Sequence, residues 1–141
     1  VISTATNTVV PTLAGFAAPI AVAFSPSGRF AYVTAYNSGA LYIIDTTTRT
    51  FTTVAGMSVA SEGIAVHPSG RYVYTAGNSS NAVFILDTTT NTIASTANIG
   101  TNQWGVAVHP NGRYFYVARG TDELRVFRTS DNVQVALVDV G

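Results

Sequence analysis

The chain has 141 residues, about one domain's worth, with seven Arg set against seven Asp and Glu, no Lys and no Cys. Zero formal net charge leaves no electrostatic footprint for nucleic acid or an anionic membrane. The lack of Cys excludes disulfides, thiol nucleophiles and thiolate metal sites, and 47% hydrophobic residues argue against disorder. No apolar run approaches the roughly 18 residues that a membrane span needs.

In chain order, the first stretch is the tail of a repeat that then recurs three times. The copies read VAFSPSGRFAYVTAYNSGALYIIDTTTRT from Val22, IAVHPSGRYVYTAGNSSNAVFILDTTTNT from Ile64 and VAVHPNGRYFYVARGTDELRVFRTSDN from Val106. Pro26, Pro68 and Pro110 stand 42 residues apart, as do Gly28, Gly70 and Gly112, and Arg29, Arg71 and Arg113. Ile2, Ile44 and Leu86 keep the same spacing, as do Asn7, Arg49 and Asn91, so the N-terminal stretch is in frame. The third copy is one residue shorter between Gly120 and Asp122.

Each copy predicts four strands; in the first they are Ile20–Phe24, Phe30–Ala35, Leu41–Ile44 and Phe51–Val54. Val, Ile, Tyr, Phe and Thr dominate them, as a pleated surface favours. Turn chemistry separates them: Ser-Pro-Ser-Gly at 25–28, Asn37-Ser38-Gly39, and Asp45 ahead of three Thr, where the carboxylate can accept from the backbone beyond it. The third strands, Leu41-Tyr42-Ile43-Ile44 and Val83-Phe84-Ile85-Leu86, are apolar without alternation, which implies burial on both faces.

Four strands in about forty residues, with middle strands covered on both sides, describe a β-propeller blade. The expected fold is therefore all-β: a β-propeller segment of three four-stranded antiparallel blades of about 42 residues, with one extra N-terminal outer strand. The boundaries are 1–18 for the outer strand of a preceding blade, centred on Val9–Leu13, then 19–60, 61–102 and 103–141 for blades one to three. Small residues should line the innermost strands near the axis: Ala21 and Ala23, Gly63 and Ala65, Gly105 and Ala107. Pro11 and the Thr-rich outer runs suit an edge. Propellers close with four to eight blades. Three imply a partial propeller, a ring completed by self-association, or a filament built by strand addition. An isolated monomer is expected to be unstable, with apolar faces bare at both ends.

The strings FAYVTAYN, YVYTAGNSSN and YFYVARG, each after SPSGR, HPSGR or HPNGR, resemble the YVTN-type β-propeller repeat. LYIIDTTTRT, VFILDTTTNT and the opening STATNTVV extend the resemblance over nearly the whole chain, with Arg128 departing from the Asp of the third turn. The resemblance implies a prokaryotic surface-layer or secreted protein. Propellers of similar architecture also include lactonase-type hydrolases and streptogramin-type lyases, so the fold does not choose a function.

Residues equal in every copy are read as blade architecture. His67 and His109 should bond their own turns, Arg29, Arg71 and Arg113 should pair locally, and Asp45 and Asp87 are turn residues. Residues that differ at equivalent places are free for recognition. Tyr36, Glu62, Asn78, Trp104, Arg119 and Asp122 lie in the loops before the first strands and after the second, which emerge at one end of a meander. They are the expected partner-binding residues, Trp and Arg being favoured interface anchors.

No catalytic residues, cofactor or metal site are expected; the sequence holds no nucleophile elbow, HExxH or phosphate loop. The first reading is a non-enzymatic structural and interaction module acting through blade-edge assembly and loop-face recognition. The expected partner is protein, as self-association or further blades, with a cell-surface glycan as a second class. The alternative is part of a lactonase- or lyase-like enzyme with Glu62 as acid or base and Asn102 nearby. The sequence opens on Val, which suits a processed or excised segment, and hydroxyl-rich, Lys-free composition suits an extracellular or cell-surface location. Asn78-Ser79-Ser80 is a formal glycosylation acceptor.

Overall fold

The structure is a computed structural model describing residues 2–3, 5–9, 12–57 and 61–141, without the Ile2 side chain. Its strands are β1 (Ile2–Ser3), β2 (Thr8–Val9), β3 (Pro19–Phe24), β4 (Phe30–Ala35), β5 (Leu41–Asp45), β6 (Thr50–Val54), β7 (Ser61–Val66), β8 (Tyr72–Gly77), β9 (Ala82–Asp87), β10 (Thr92–Asn98), β11 (Gln103–Val108), β12 (Tyr114–Arg119), β13 (Glu123–Arg128) and β14 (Gln134–Asp139). Three antiparallel meanders form in chain order: β3-β4-β5-β6, β7-β8-β9-β10 and β11-β12-β13-β14. These are the three blades, set side by side through β3, β7 and β11.

The close approach of the inner strands explains their small residues. A Cβ on Gly63 would sit 2.9 Å from Gly105 Cα and Val106 N. Only a residue without a side chain lets these two backbones meet, as expected near a propeller axis.

Packing between blades uses both faces of each middle strand. In β9, Val83 and Ile85 join the core shared with blade three, beside Tyr74, Phe115 and Phe127. Their neighbours Phe84 and Leu86 join the core shared with blade one, beside Tyr32, Leu41 and Ile43. The unbroken apolar run therefore serves two interfaces rather than one. Phe115 stacks on Phe127 with ring centroids 5.0 Å apart and leans on Tyr74 at 4.8 Å.

The N-terminal stretch differs in detail from a lone outer strand. Ile2 pairs with Val9 and Ser3 with Thr8. Ile44 pairs with Phe51 in blade one, and Leu86 with Ile93 in blade two. The stretch thus carries the end of a third strand as well as the start of a fourth. Asn7 has φ 52°, matching Arg49 (57°), Asn91 (54°) and Asn132 (59°) at the same turn position. The strand expected over Val9–Leu13 is seen at Thr8–Val9; Val10 and Pro11 lie outside the described residues, and Thr12 and Leu13 are not in a strand. Downstream, Phe16 packs edge-on against Tyr42 at 4.9 Å and against Phe51 at 5.0 Å, covering part of the outer face of blade one.

Candidate functional site

Ladder register fixes where the divergent loops lie. Pro19 faces Ala35, Ser61 faces Gly77 and Gln103 faces Arg119. The loops before β3, β7 and β11 and those after β4, β8 and β12 therefore emerge at one end of the three blades. Trp104 is 53% and Tyr36 45% exposed there, Asp122 is exposed, and Glu62 and Asn78 are half-buried. Glu62 has no hydrogen-bond partner among the described residues.

Arg119 departs from its expected role. Its Nε and Nη2 donate to the Thr101 carbonyl at 3.1 and 2.9 Å, and Nη1 pairs with Glu123. Arg125 holds the same Glu123 carboxylate and donates to the Ile99 carbonyl. The two guanidiniums, Arg119 first, hold the Glu123 carboxyl below its ordinary range. Arg119 thus ties the 99–102 loop to blade three and has little guanidinium left for a partner. Beneath Trp104, the buried Gln103 donates to the carbonyls of Gly100 (2.8 Å) and Ser80 (3.3 Å). Its Oε1 is buried without a hydrogen-bond partner among the described residues.

Two of the three repeated arginines pair within their own blade, as expected, whereas the Arg113 guanidinium has no carboxylate partner among the described residues. Arg29 pairs with Asp45 at 3.3 Å and Arg71 with Asp87 at 3.2 Å. The same aspartates close their turns: Asp45 Oδ1 accepts from the N–H of Thr47 and Thr48, and Asp87 Oδ1 from the N–H and hydroxyl of Thr89. In blade three Arg128 stands where the aspartate would be and pairs with Asp131. Among the described residues no three of His, Asp and Glu gather closely enough to hold a metal ion.

The histidines reach further than their own turns. His67 Nδ1 accepts from the Ser69 N–H at 3.1 Å, so a proton on Nε2 donates to the Gly112 carbonyl of blade three at 2.8 Å. That carbonyl uses its second lone pair for the Thr129 hydroxyl at 2.6 Å. Gly112 has φ 73°, and a Cβ there would lie 2.8 Å from the imidazole. Both facts demand glycine. Repeat spacing carried no sign of this bridge, because the partner belongs to another copy and the first copy has Ser25 in the slot. Between blades one and two, where Ser25 lines the cleft, its volume is about 510 Å³. The matching cleft between blades two and three is about 290 Å³.

No family model and no curated protein matches the chain. Solved structures do. Kuenenia stuttgartiensis hydrazine synthase is similar at 25% identity and TM-score 0.81, over 92% of this chain and 37% of that one. The β-propeller domain of Myceliophteria thermophila Cps50 (Swd1) matches at 20% and 0.80 over 92% and 41%, and the RRP9 WD40 repeats at 12% and 0.82 over 89% and 40%. The fold is a β-propeller segment. The chain spans about two fifths of the length of the structures it matches.

Proposed function

We propose that this chain is a non-enzymatic structural and interaction module of an extracellular or cell-surface prokaryotic protein of the YVTN-repeat type. It works through assembly at its blade faces and recognition on the loop-bearing end. The observation that carries this reading is the division of labour among side chains. Of the charged residues that recur from blade to blade, Arg29 and Arg71 pair with the aspartate of their own blade. Large apolar and aromatic side chains stand exposed on the two outer blade faces and at one loop end: Val22, Phe24, Val138 and Val140, with Tyr36 and Trp104. Exposed aromatic and aliphatic surface of this kind serves contact rather than bond-making.

Trp104 is the only Trp in the chain, so its emission reports on the loop end alone. Titration with soluble cell-wall polysaccharide should change that emission, and Tyr36→Ala should weaken binding about tenfold. Unchanged emission together with calorimetric silence would remove the recognition half of the proposal.

Glu62, half-buried on an inner strand with no described partner, favours a second reading as part of a lactonase- or lyase-like site completed by other blades. Calorimetry with Ca²⁺ or Mg²⁺ separates the two. Tight binding that vanishes in Glu62→Gln supports the enzyme; no heat supports the module.

A further inference from the structure

The two internal blade interfaces share the same kind of apolar core, the second adding the His67–Gly112 bridge, and blades one and three each carry one half of such an interface on their outer face. Blade two meets blade one through Ile64, Val66, Val73, Phe84 and Leu86. Blade three meets blade two through Val106, Val108, Phe115, Val117 and Phe127. The matching face of blade one is Val22, Phe24, Ala31 and Ile44, where a groove of about 690 Å³ lies open, with Leu13 and Phe16 at its border and Phe16 covering Tyr42 beside it. Val22 is 58% and Phe24 59% exposed.

At the other end, ladder register puts Leu124 opposite Val138. Leu41 faces Val54 in blade one and Val83 faces Ala97 in blade two, and all four of these are buried. Val138 is 45% and Val140 65% exposed, with Tyr116 and Val126 half-buried beside them.

A polar key lies in the same register. His109 Nδ1 accepts from the Asn111 N–H, as His67 Nδ1 does from Ser69, but the His109 Nε2 has no partner among the described residues. Gly28 is the turn glycine that corresponds to Gly112. Its carbonyl accepts from the Thr46 hydroxyl at 3.1 Å, leaving one lone pair. A Cβ on Gly28 would meet nothing within 4 Å, where one on Gly112 meets the His67 ring.

We infer that the bare face of blade one is the seat for blade three of a second copy of this chain, with His109 Nε2–H donating to the Gly28 carbonyl across the joint. This rests on the assembly half of the proposed function and names its partner. The chain already makes the apolar part of this interface twice within itself and the histidine bridge once, and its first and third blades carry the complementary halves. Because the joint is head to tail, two copies bring six blades together, within the range in which propellers close. The ladder β1–β2 has two rungs and lies, in repeat frame, where outer strands of the incoming blade belong. It must move aside, as so short a hairpin can.

Sedimentation velocity and light scattering on the intact chain test this. The expected result is a particle of twice the 14.7 kDa chain mass at micromolar concentration. Val22→Arg and Val140→Arg, both at exposed positions, should each abolish the particle of twice the chain mass at that concentration. His109→Ala should weaken association about fivefold to tenfold, with Trp104 emission unchanged by association. A folded monomer up to a few hundred micromolar overturns the proposal. So does a dimer indifferent to Val22→Arg and His109→Ala. Neither outcome touches the loop-face titration, so failure of the seat and failure of the recognition reading are told apart.

Discussion

The residue that does most to join blades is His67, because it converts a local turn into a contact with the next blade. Replacing it with Ser, as blade one has at Ser25, removes the bond to the Gly112 carbonyl and enlarges the cleft. We expect His67→Ser to lower unfolding free energy by about 1–2 kcal/mol in urea titrations, the scale of one lost hydrogen bond plus lost packing. A midpoint equal to that of the parent would show the bridge to be dispensable. Asp45 and Asp87 act on pH. Backbone N–H groups of Thr48 and Thr47 hold the Asp45 carboxyl below its ordinary value, with Arg29 adding to them. The hydroxyl and N–H of Thr89 do the same for Asp87, with Arg71 adding to them. A carboxyl whose folded pKa lies below its unfolded one stabilises the fold above the unfolded value and loses that contribution as pH falls through the folded one. Thermal midpoints should therefore drop below roughly pH 4. The double variant Asp45→Asn/Asp87→Asn should flatten that acid limb, since amide oxygens still accept from the turns but do not titrate. An acid limb as steep as the parent's would assign it to other carboxyls.

At the scale of the element, the inner strands are limited by how closely their backbones meet. Gly63→Ala places a methyl against Gly105 and Val106 backbone, and neither can retreat without pulling its ladder apart. We expect a loss of about 1–3 kcal/mol, of the size measured for overpacked cores, whereas Gly105→Ala, which meets nothing within 4 Å, should cost less. Equal costs would mean that the inner strands have room to spread. The blades themselves were legible in the sequence because a 42-residue period, Pro-Ser-Gly turns and doubly apolar third strands all specify the same unit. Small residues at 21, 63 and 105 even marked the axis. The internal use of Arg29, Asp45, Arg71 and Asp87 was legible for the same reason, since recurrence signals architecture. Arg119 was not: a residue that differs between copies can serve its own loop as readily as a partner, and only geometry shows its guanidinium on the Thr101 carbonyl. The His67 bridge was hidden because its two ends belong to different copies, 45 residues apart. The start of the chain hid a two-strand ladder for a simpler reason. Two residues on each side of a turn are too few to show strand alternation, although the 42-residue frame already set Ile2 in line with Ile44 and Leu86 of the third strands.

At the scale of the whole molecule, stability should follow position in the stack rather than sequence quality. Blade two is covered on both faces, by Tyr32, Leu41 and Ile43 from one neighbour and by Phe115, Val117 and Phe127 from the other. Blade three has one covered face, blade one has its second face covered only in part, by Phe16 over Tyr42, and every residue of β14 is exposed. In a stacked-repeat protein the free energy of opening a unit is close to its own stability plus the interfaces it must break. Blade two must break two interfaces and each end blade one. Hydrogen exchange on the dilute chain should therefore show slowest exchange in β8 and β9, faster exchange in β4 and β12, and fastest in β14. The same experiment at high concentration carries the assembly question to residue level. Seating blade three of one copy on blade one of another would give the end blades a second interface, and protection in β4 and β12 should rise toward that of β8. Protection that stays graded from centre to ends at every concentration would mean that the stack's outer faces remain bare.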